Sequence, residues 1–344
     1  MRKQTLKGLA VGLVAVVGLA ACGSSSSSDT TVAAGSAGLA CEVTDTGGVD
    51  DKGFNQIAHE GLLQAEAELG VATDLLESTT DADYAPNLQS FVDKGCNVIV
   101  TVGFLLADAT KAAAEANPTV QFAIVDSNTS APNVQGLTFA TDQPSFLAGY
   151  MAAATTKSGI VGTFGGINIP PVAIFMQGFA KGVEYYNAQK GTSVKVLGWD
   201  IAAQDGTFSG DFNDQTKGTS IAKSMSDEGA DIIFPVAGPV GLGASQFAMD
   251  SAGKVKIIGV DVDMAVSNPT QAEVYVASVL KKIDSAVLQA VKDALAKTGG
   301  GTDYLGTLAN GGVGVSITST ITPELQAELD AVTAGIIDGS IVTK

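Results

Sequence analysis

The feature that most constrains this chain is an alternation of strand-like and helical segments that runs through twice. Apolar, β-branched runs at Leu39–Thr44, Val71–Leu76, Val98–Val102, Val120–Val125 and Val134–Phe139 read as strands. Helical patterns separate the first four, at Asn55–Leu69, Ala85–Lys94 and Ala107–Ala116. In the first of these, Ile57, Gly61, Leu62, Ala65 and Leu69 fall on one stripe, as a helix packed on a sheet requires. A second series follows Thr141. It has a helix at about Pro144–Thr156 and strands at Ile160–Phe164, Val194–Trp199, Ile232–Val236 and Ile257–Val260. Helices at about Ile174–Asn187, Thr216–Asp227 and Gly241–Ser251 lie between those strands. Such spacing implies βαβ units and parallel sheets.

The remainder adds a strand at Glu273–Ser278, a helix at Ile283–Ala296, a Gly-rich hairpin-like stretch at Tyr304–Ile317 and a last helix at Pro323–Ile337. It reads as revisiting both halves. The expected fold class is therefore α/β, with two lobes, each a parallel sheet flanked by helices. Residues 39–140 plus about 267–312 are assigned to the N-terminal lobe, and 141–266 plus about 313–344 to the C-terminal lobe. No sequence repeat marks a duplication.

Residues 1–38 belong to neither lobe. Arg2, Lys3 and Lys7 precede an apolar run from Gly8 to Ala21, which is shorter than the roughly 20 residues a spanning helix needs. The run ends Leu19-Ala20-Ala21-Cys22, the pattern of a lipoprotein signal peptide, 1–21, with Cys22 as the thiol that accepts the lipid. Ser24 to Ser28 and the small residues up to Gly38 make 22–38 a lipidated, flexible tether. Loss of such a leader takes three of the 19 bases and none of the 36 acids, moving the formal charge from −17 to −20. A surface that acidic repels phosphate backbones, so nucleic acid is not an expected partner.

One histidine and three cysteines leave little material for a His-based triad or a Cys/His zinc site. There is no Gly-x-x-x-x-Gly-Lys-[Ser/Thr] phosphate loop, and no Gly-x-Gly-x-x-Gly follows the first strand. His59 falls within the first helix and reads as a surface residue, and Asp50-Asp51 reads as a solvated loop. No enzyme, metal or cofactor is expected. Cys41 and Cys96 each sit at the start of a strand that a 2-1-3 sheet order makes neighbours, so a disulfide between them is expected outside the cytosol. Two buried free thiols are the alternative.

Open parallel sheets bind ligands outside the carboxyl ends of their strands. Those ends carry Asp45, the loop Thr46–Asn55, Asp126-Ser127-Asn128, Gly165-Gly166, Asp200, Ala237-Gly238-Pro239 and Asp261-Val262-Asp263. Carboxylates are frequent among them and bases are few, which points to contacts with a small polar ligand.

With the Cys22 pattern, the serine tether and the run from Thr44 to Gln56, the chain resembles the basic membrane protein family of lipid-anchored ABC-transporter substrate-binding proteins. Gln177–Gly182, Phe212-Asn213-Asp214, Phe234–Gly238 and Ile258–Asp263 extend the resemblance over the chain beyond the leader. It implies a two-lobed, periplasmic-binding-protein-like (type I) fold with the ligand cleft between the lobes. The implied function is an extracytoplasmic receptor, lipid-anchored at the cell membrane, that binds nucleosides, purines in particular, and delivers them to ABC permease subunits.

Residue by residue, the resemblance makes Phe54 one base-stacking ring and Phe212 the other, with Phe208 and Trp199 as rivals. Asp126 matches the base-reading carboxylate, Asp45 and Asn55 polar contacts, and Gly238 a backbone contact. Asp261 or Asp263 matches the ribose-binding acid and Lys281 the ribose-binding lysine; Met264 stands where a Gln is usual. The alternative is the same fold binding another solute, such as riboflavin, a sugar or a signalling molecule. A transcription regulator and a hydrolase are further readings, opposed respectively by the lipoprotein signature with the acidic charge and by the single histidine.

Overall fold

The computed structural model describes residues 37–344; the expected signal peptide, the expected lipidation site Cys22 and most of the expected tether lie outside the described residues. Walking the chain, the first half runs β1 (Leu39–Thr44), α1 (Phe54–Leu69), β2 (Ala72–Leu76), α2 (Tyr84–Lys94), β3 (Val98–Val102), α3 (Ala107–Ala116), β4 (Gln121–Val125) and β5 (Val134–Phe139). It continues through α4 (Asp142–Thr155), β6 (Ile160–Gly165), α5 (Pro170–Lys190), β7 (Lys195–Leu197), β8 (Trp199–Asp200), β9 (Asp205–Gly206), α6 (Gln215–Asp227) and β10 (Ile232–Val236). Then follow α7 (Pro239–Asp250), β11 (Lys256–Asp261), the short α8 (Met264–Ser267), β12 (Tyr275–Lys281), α9 (Ile283–Ala296), β13 (Asp303–Gly306), β14 (Val313–Ile317) and α10 (Pro323–Ile337).

Two six-stranded sheets result, ordered β13-β5-β4-β3-β1-β2 and β14-β12-β11-β10-β6-β7. Numbered within each sheet, both read 6-5-4-3-1-2, a structural repeat that the sequence does not display, while β8 and β9 pair only with each other. The sixth strands differ: β13 runs parallel to β5, whereas β14 runs antiparallel to β12. Alternation along a strand divides its side chains between the two faces. In β1, Ala40 enters the core under α1 and α9, while Leu39, Cys41 and Val43 enter the core under α2 and α3. The second sheet is likewise covered by α4, α5 and α10 on one face and by α6 and α7 on the other.

Two sequence expectations are corrected here. The stretch Tyr304–Ile317 is not a hairpin, because β13 joins the first sheet and β14 the second. Strand β12 belongs to the second sheet, so the chain returns to the first lobe at about residue 282 rather than 267. Both outcomes depend on long-range partners: β12 is held between β11 and β14. The chain thus crosses between the lobes after β5, after β12 and between β13 and β14. Cys41 and Cys96 form a disulfide with Cα atoms 6.0 Å apart.

Candidate functional site

The carboxyl ends of the two sheets border a cavity that opens to solvent. From the first lobe, Asp45 extends β1, and its carboxylate accepts hydrogen bonds from Asn55 Nδ2 (2.8 Å) and Gly47 N (3.3 Å). Gly103, after β3, has φ 112°, and a Cβ there would lie 2.8 Å from Asp45 Oδ2, so this position both needs glycine and lets the acid stay buried. Burial pushes the Asp45 carboxyl up to about 6; the Asn55 and Gly47 bonds oppose this, and Asp51 and Asp126 add to it.

Asp51 is a site residue that the sequence reading left in solvent. The residue preceding α1, Gly53, has no side chain to cap the helix. The Asp51 carboxylate takes over, accepting from Gly53 N (2.9 Å), Asn55 N (2.8 Å) and Gln56 N (3.1 Å). It thereby fixes the first turn of α1, from which Phe54 and Asn55 reach the cavity. Burial raises its carboxyl, against those backbone donors and Lys52.

Asp126 follows β4 with a left-handed backbone, φ 67°. Lys281, the last residue of β12, donates from Nζ to Asp126 Oδ2 at 2.5 Å, joining the two lobes across 155 residues of sequence. The lysine is 2% exposed and Asp126 10%. Its ammonium also lies 4.8, 5.2 and 5.8 Å from the ring centres of Phe54, Phe139 and Phe175, a cation–π arrangement. Burial raises Asp126, and the Lys281 charge opposes the rise. Asp261 ends β11 in the same backbone conformation, φ 66°. Burial pushes it to about 7, with Lys281 opposing and Asp126 and Asp51 adding.

Two aromatic pairs complete the walls. Phe54 and Phe104 come from the first lobe, and Phe175 and Phe212 from the second. Phe212 lies against Gly166, where a Cβ would come within 2.2 Å of its ring. Its rivals stand elsewhere: Trp199 donates from Nε1 to Gln177 at 2.9 Å and meets Phe208 edge-on, and neither lines the cavity. Gly238, with φ 53°, brings bare backbone to the cavity at the start of α7.

Of the residues singled out from the sequence, Asp45, Phe54, Asn55, Asp126, Phe212, Gly238, Asp261 and Lys281 all line this cavity. Asp263 does not. It caps α8, accepting from Ala265 N (3.1 Å) and Ser316 Oγ (2.6 Å). His59 is no free surface residue either: Nδ1 lies 3.8 Å from the carboxylate of Glu42, which is completely buried. Phe175 was missed because it lies within a helix, where an aromatic reads as ordinary core; the helix starts at Pro170, four residues before the expected Ile174. Proline in a helix's first turn was the available signal. Phe104 lies in a single turn after β3, where no periodicity reports it. Among the described residues no group of His, Cys, Asp and Glu suits a metal ion.

A cavity with apolar walls and a few convergent polar groups, set between two lobes of like topology, defines a solute-binding protein of the periplasmic-binding-protein-like class. The comparisons agree. A family model described as "Bmp: ABC transporter substrate-binding protein PnrA-like" matches residues 39–344. The chain is 33% identical to the ABC transporter nucleoside-binding protein BmpA of Lactococcus lactis, over 99% of both chains. It is 31% identical to basic membrane protein A of Borreliella afzelii, over 86% of this chain and 88% of that one. Among solved structures, an ABC transporter solute-binding protein from Aeropyrum pernix superposes with a TM-score of 0.77 at 26% identity, covering 89% of this chain and 93% of the other. The chain belongs to the PnrA-like family of ABC transporter substrate-binding proteins. Its members bind solutes rather than catalyse reactions, act outside the cytoplasm and hand small molecules to permease subunits. No helix among the described residues is long and apolar enough to cross a membrane.

Proposed function

We propose that the cavity binds nucleosides, purine nucleosides in particular, and that the protein is a lipid-anchored receptor of an ABC importer, held at the cell membrane through Cys22. The observation that carries the ligand is the pairing of aromatic faces from both lobes with the Lys281-bound carboxylate of Asp126. Phe54 and Phe212 stack on the base from opposite lobes, each such contact being worth ~1–3 kcal/mol. Asp126 accepts from the N–H edge of the base, a charge-assisted bond worth ~1.5–3 kcal/mol. Asp261 and the remaining Lys281 donors hold the ribose, Gly238 contributes backbone, and Asp45 and Asn55 complete the polar wall on the first-lobe side. Asp263, engaged by Ser316, has no part in it. The name of the Lactococcus lactis relative supports the ligand class.

The test is the melting temperature of the purified protein with inosine, guanosine, adenosine, uridine, riboflavin and ribose in turn. A rise with purine nucleosides that is lost in Asp126→Asn is expected. A rise with riboflavin or ribose and none with nucleosides keeps the family and overturns the ligand. Anchoring is tested separately, by incorporation of labelled palmitate in cells; unchanged labelling in Cys22→Ser removes that part of the reading.

A further inference from the structure

Four carboxylates line the cavity, Asp45, Asp51, Asp126 and Asp261, against the single ammonium of Lys281. Three of them are engaged: Asp45 by Asn55 and Gly47, Asp51 by three backbone N–H groups, and Asp126 by Lys281. Asp261 is only 7% exposed, yet no donor among the described residues bonds its side chain. The charged groups around it are accounted for. Lys281 on the neighbouring β12 already pairs with Asp126, while Asp126 and Asp51 approach from the first lobe as like charges. Asp263, two residues on, is held by Ser316 and Ala265, and the start of α7 contributes only Gly238 and Pro239 to the cavity. Like charges crowded among apolar walls cannot all ionise cheaply, and the acid without a donor is the one that keeps a proton.

We propose that Asp261 holds a proton while the cleft is empty and releases it when a ligand's hydroxyl pair docks on it, so that solute uptake into the cleft is coupled to proton release near neutral pH. This rests on reading the cleft as the site of a hydroxyl-bearing nucleoside. A neutral carboxyl presents one donor and weak acceptors, whereas the anion accepts two charge-assisted bonds from a vicinal diol. Ligand binding therefore selects the anion, and the proton passes to bulk buffer with no change in covalent bonding. A value of about 7 for Asp261 places the release in the neutral range. For one proton released, affinity is about tenfold weaker at about pH 6 than at about pH 8.

Two measurements on the purified protein decide it. The first is carboxyl-carbon NMR of the unliganded protein labelled at aspartate, with the Asp261 resonance assigned by its loss in Asp261→Asn. Asparagine tolerates the left-handed backbone as aspartate does. The second is calorimetric titration with inosine at about pH 6, in two buffers of different ionisation enthalpy. The expected result is a neutral-range titration of Asp261 and a buffer-dependent heat that disappears in Asp261→Asn. A titration complete below about pH 5, or equal heats in the two buffers, overturns the proton coupling. If no nucleoside gives heat, the nucleoside reading falls, and the NMR titration with ribose as titrant decides the coupling on its own.

Discussion

Asp126 and Asp261 are counterparts: each follows or ends the fourth strand of its lobe's sheet, each has a left-handed backbone (φ 67° and 66°), and each lines the same cavity. Aspartate is among the few residues that enter this conformation without a large penalty, and such conformations persist where the surroundings hold them, commonly at binding sites. The two differ in their company. Asp126 has Lys281, whereas Asp261 has no bonded donor among the described residues.

The ion pair makes Lys281 a structural residue as well as one that lines the cavity. Lys281→Met leaves Asp126 buried without its cation, a change that costs about 3–5 kcal/mol for buried pairs. The loss shrinks on acidification, because a carboxyl raised above its unfolded value costs stability only at pH values where it must ionise. Urea unfolding of Lys281→Met at about pH 5 and about pH 8 checks this; equal losses at both would refute it. Lys281→Met/Asp126→Asn should recover much of the difference.

Phe54→Ala is expected to weaken purine nucleoside binding about 5- to 150-fold, the equivalent of one lost base stack. Ribose binding should change far less, since a sugar has no flat face to stack. Calorimetry with both ligands separates the cases, and parallel losses for the two would show that Phe54 shapes the cleft rather than stacks.

The unliganded protein is expected to lose stability as pH rises from about 4 to about 8. Asp45 (about 6) and Asp261 (about 7) are raised by burial, as are Asp51, Asp126 and Glu42 in direction. Their folded forms hold protons that the unfolded chain gives up near pH ~4, so stability falls between the unfolded and folded values. His59, raised chiefly by Glu42, adds to the trend: its contribution is complete below its unfolded value and disappears as pH passes the folded one. Glu42→Gln should flatten the profile, and a profile that rises across this window would contradict the assignment.

The Cys41–Cys96 disulfide closes a loop of 55 residues. Chain-entropy arguments put its worth at roughly 4 kcal/mol. Cys41→Ala/Cys96→Ala should lower the melting temperature while leaving ligand affinity intact, because Cys41 lies within β1 and Cys96 precedes β3, whereas the cavity lies at the carboxyl ends of the strands. A matching loss of affinity would mean that the bond also sets the cleft.

Much of the first-lobe wall could be read from the chain, because parallel strands deliver the residues after their carboxyl ends to one rim. Asp45, Phe54, Asn55 and Asp126 follow that rule. Phe175 does not: it points into the cavity from within α5, where an aromatic reads as ordinary core. Asp51 looked like a solvated loop acid because the three amides it caps become orphaned only once α1 forms.

By itself the sequence determined the alternation of elements, hence two parallel-dominated sheets, and the acids and glycines that stand at strand ends. Periodicity encodes which face of its own element a side chain takes, and turn residues encode where the element stops. The tertiary structure alone decided that β12 joins the second sheet, that Phe212 rather than Trp199 or Phe208 meets the cavity, and that Lys281 pairs with Asp126 while Asp261 has no bonded donor among the described residues. These outcomes depend on how the two sheets set their strand ends against each other, a relation between residues far apart in the chain that no local pattern carries.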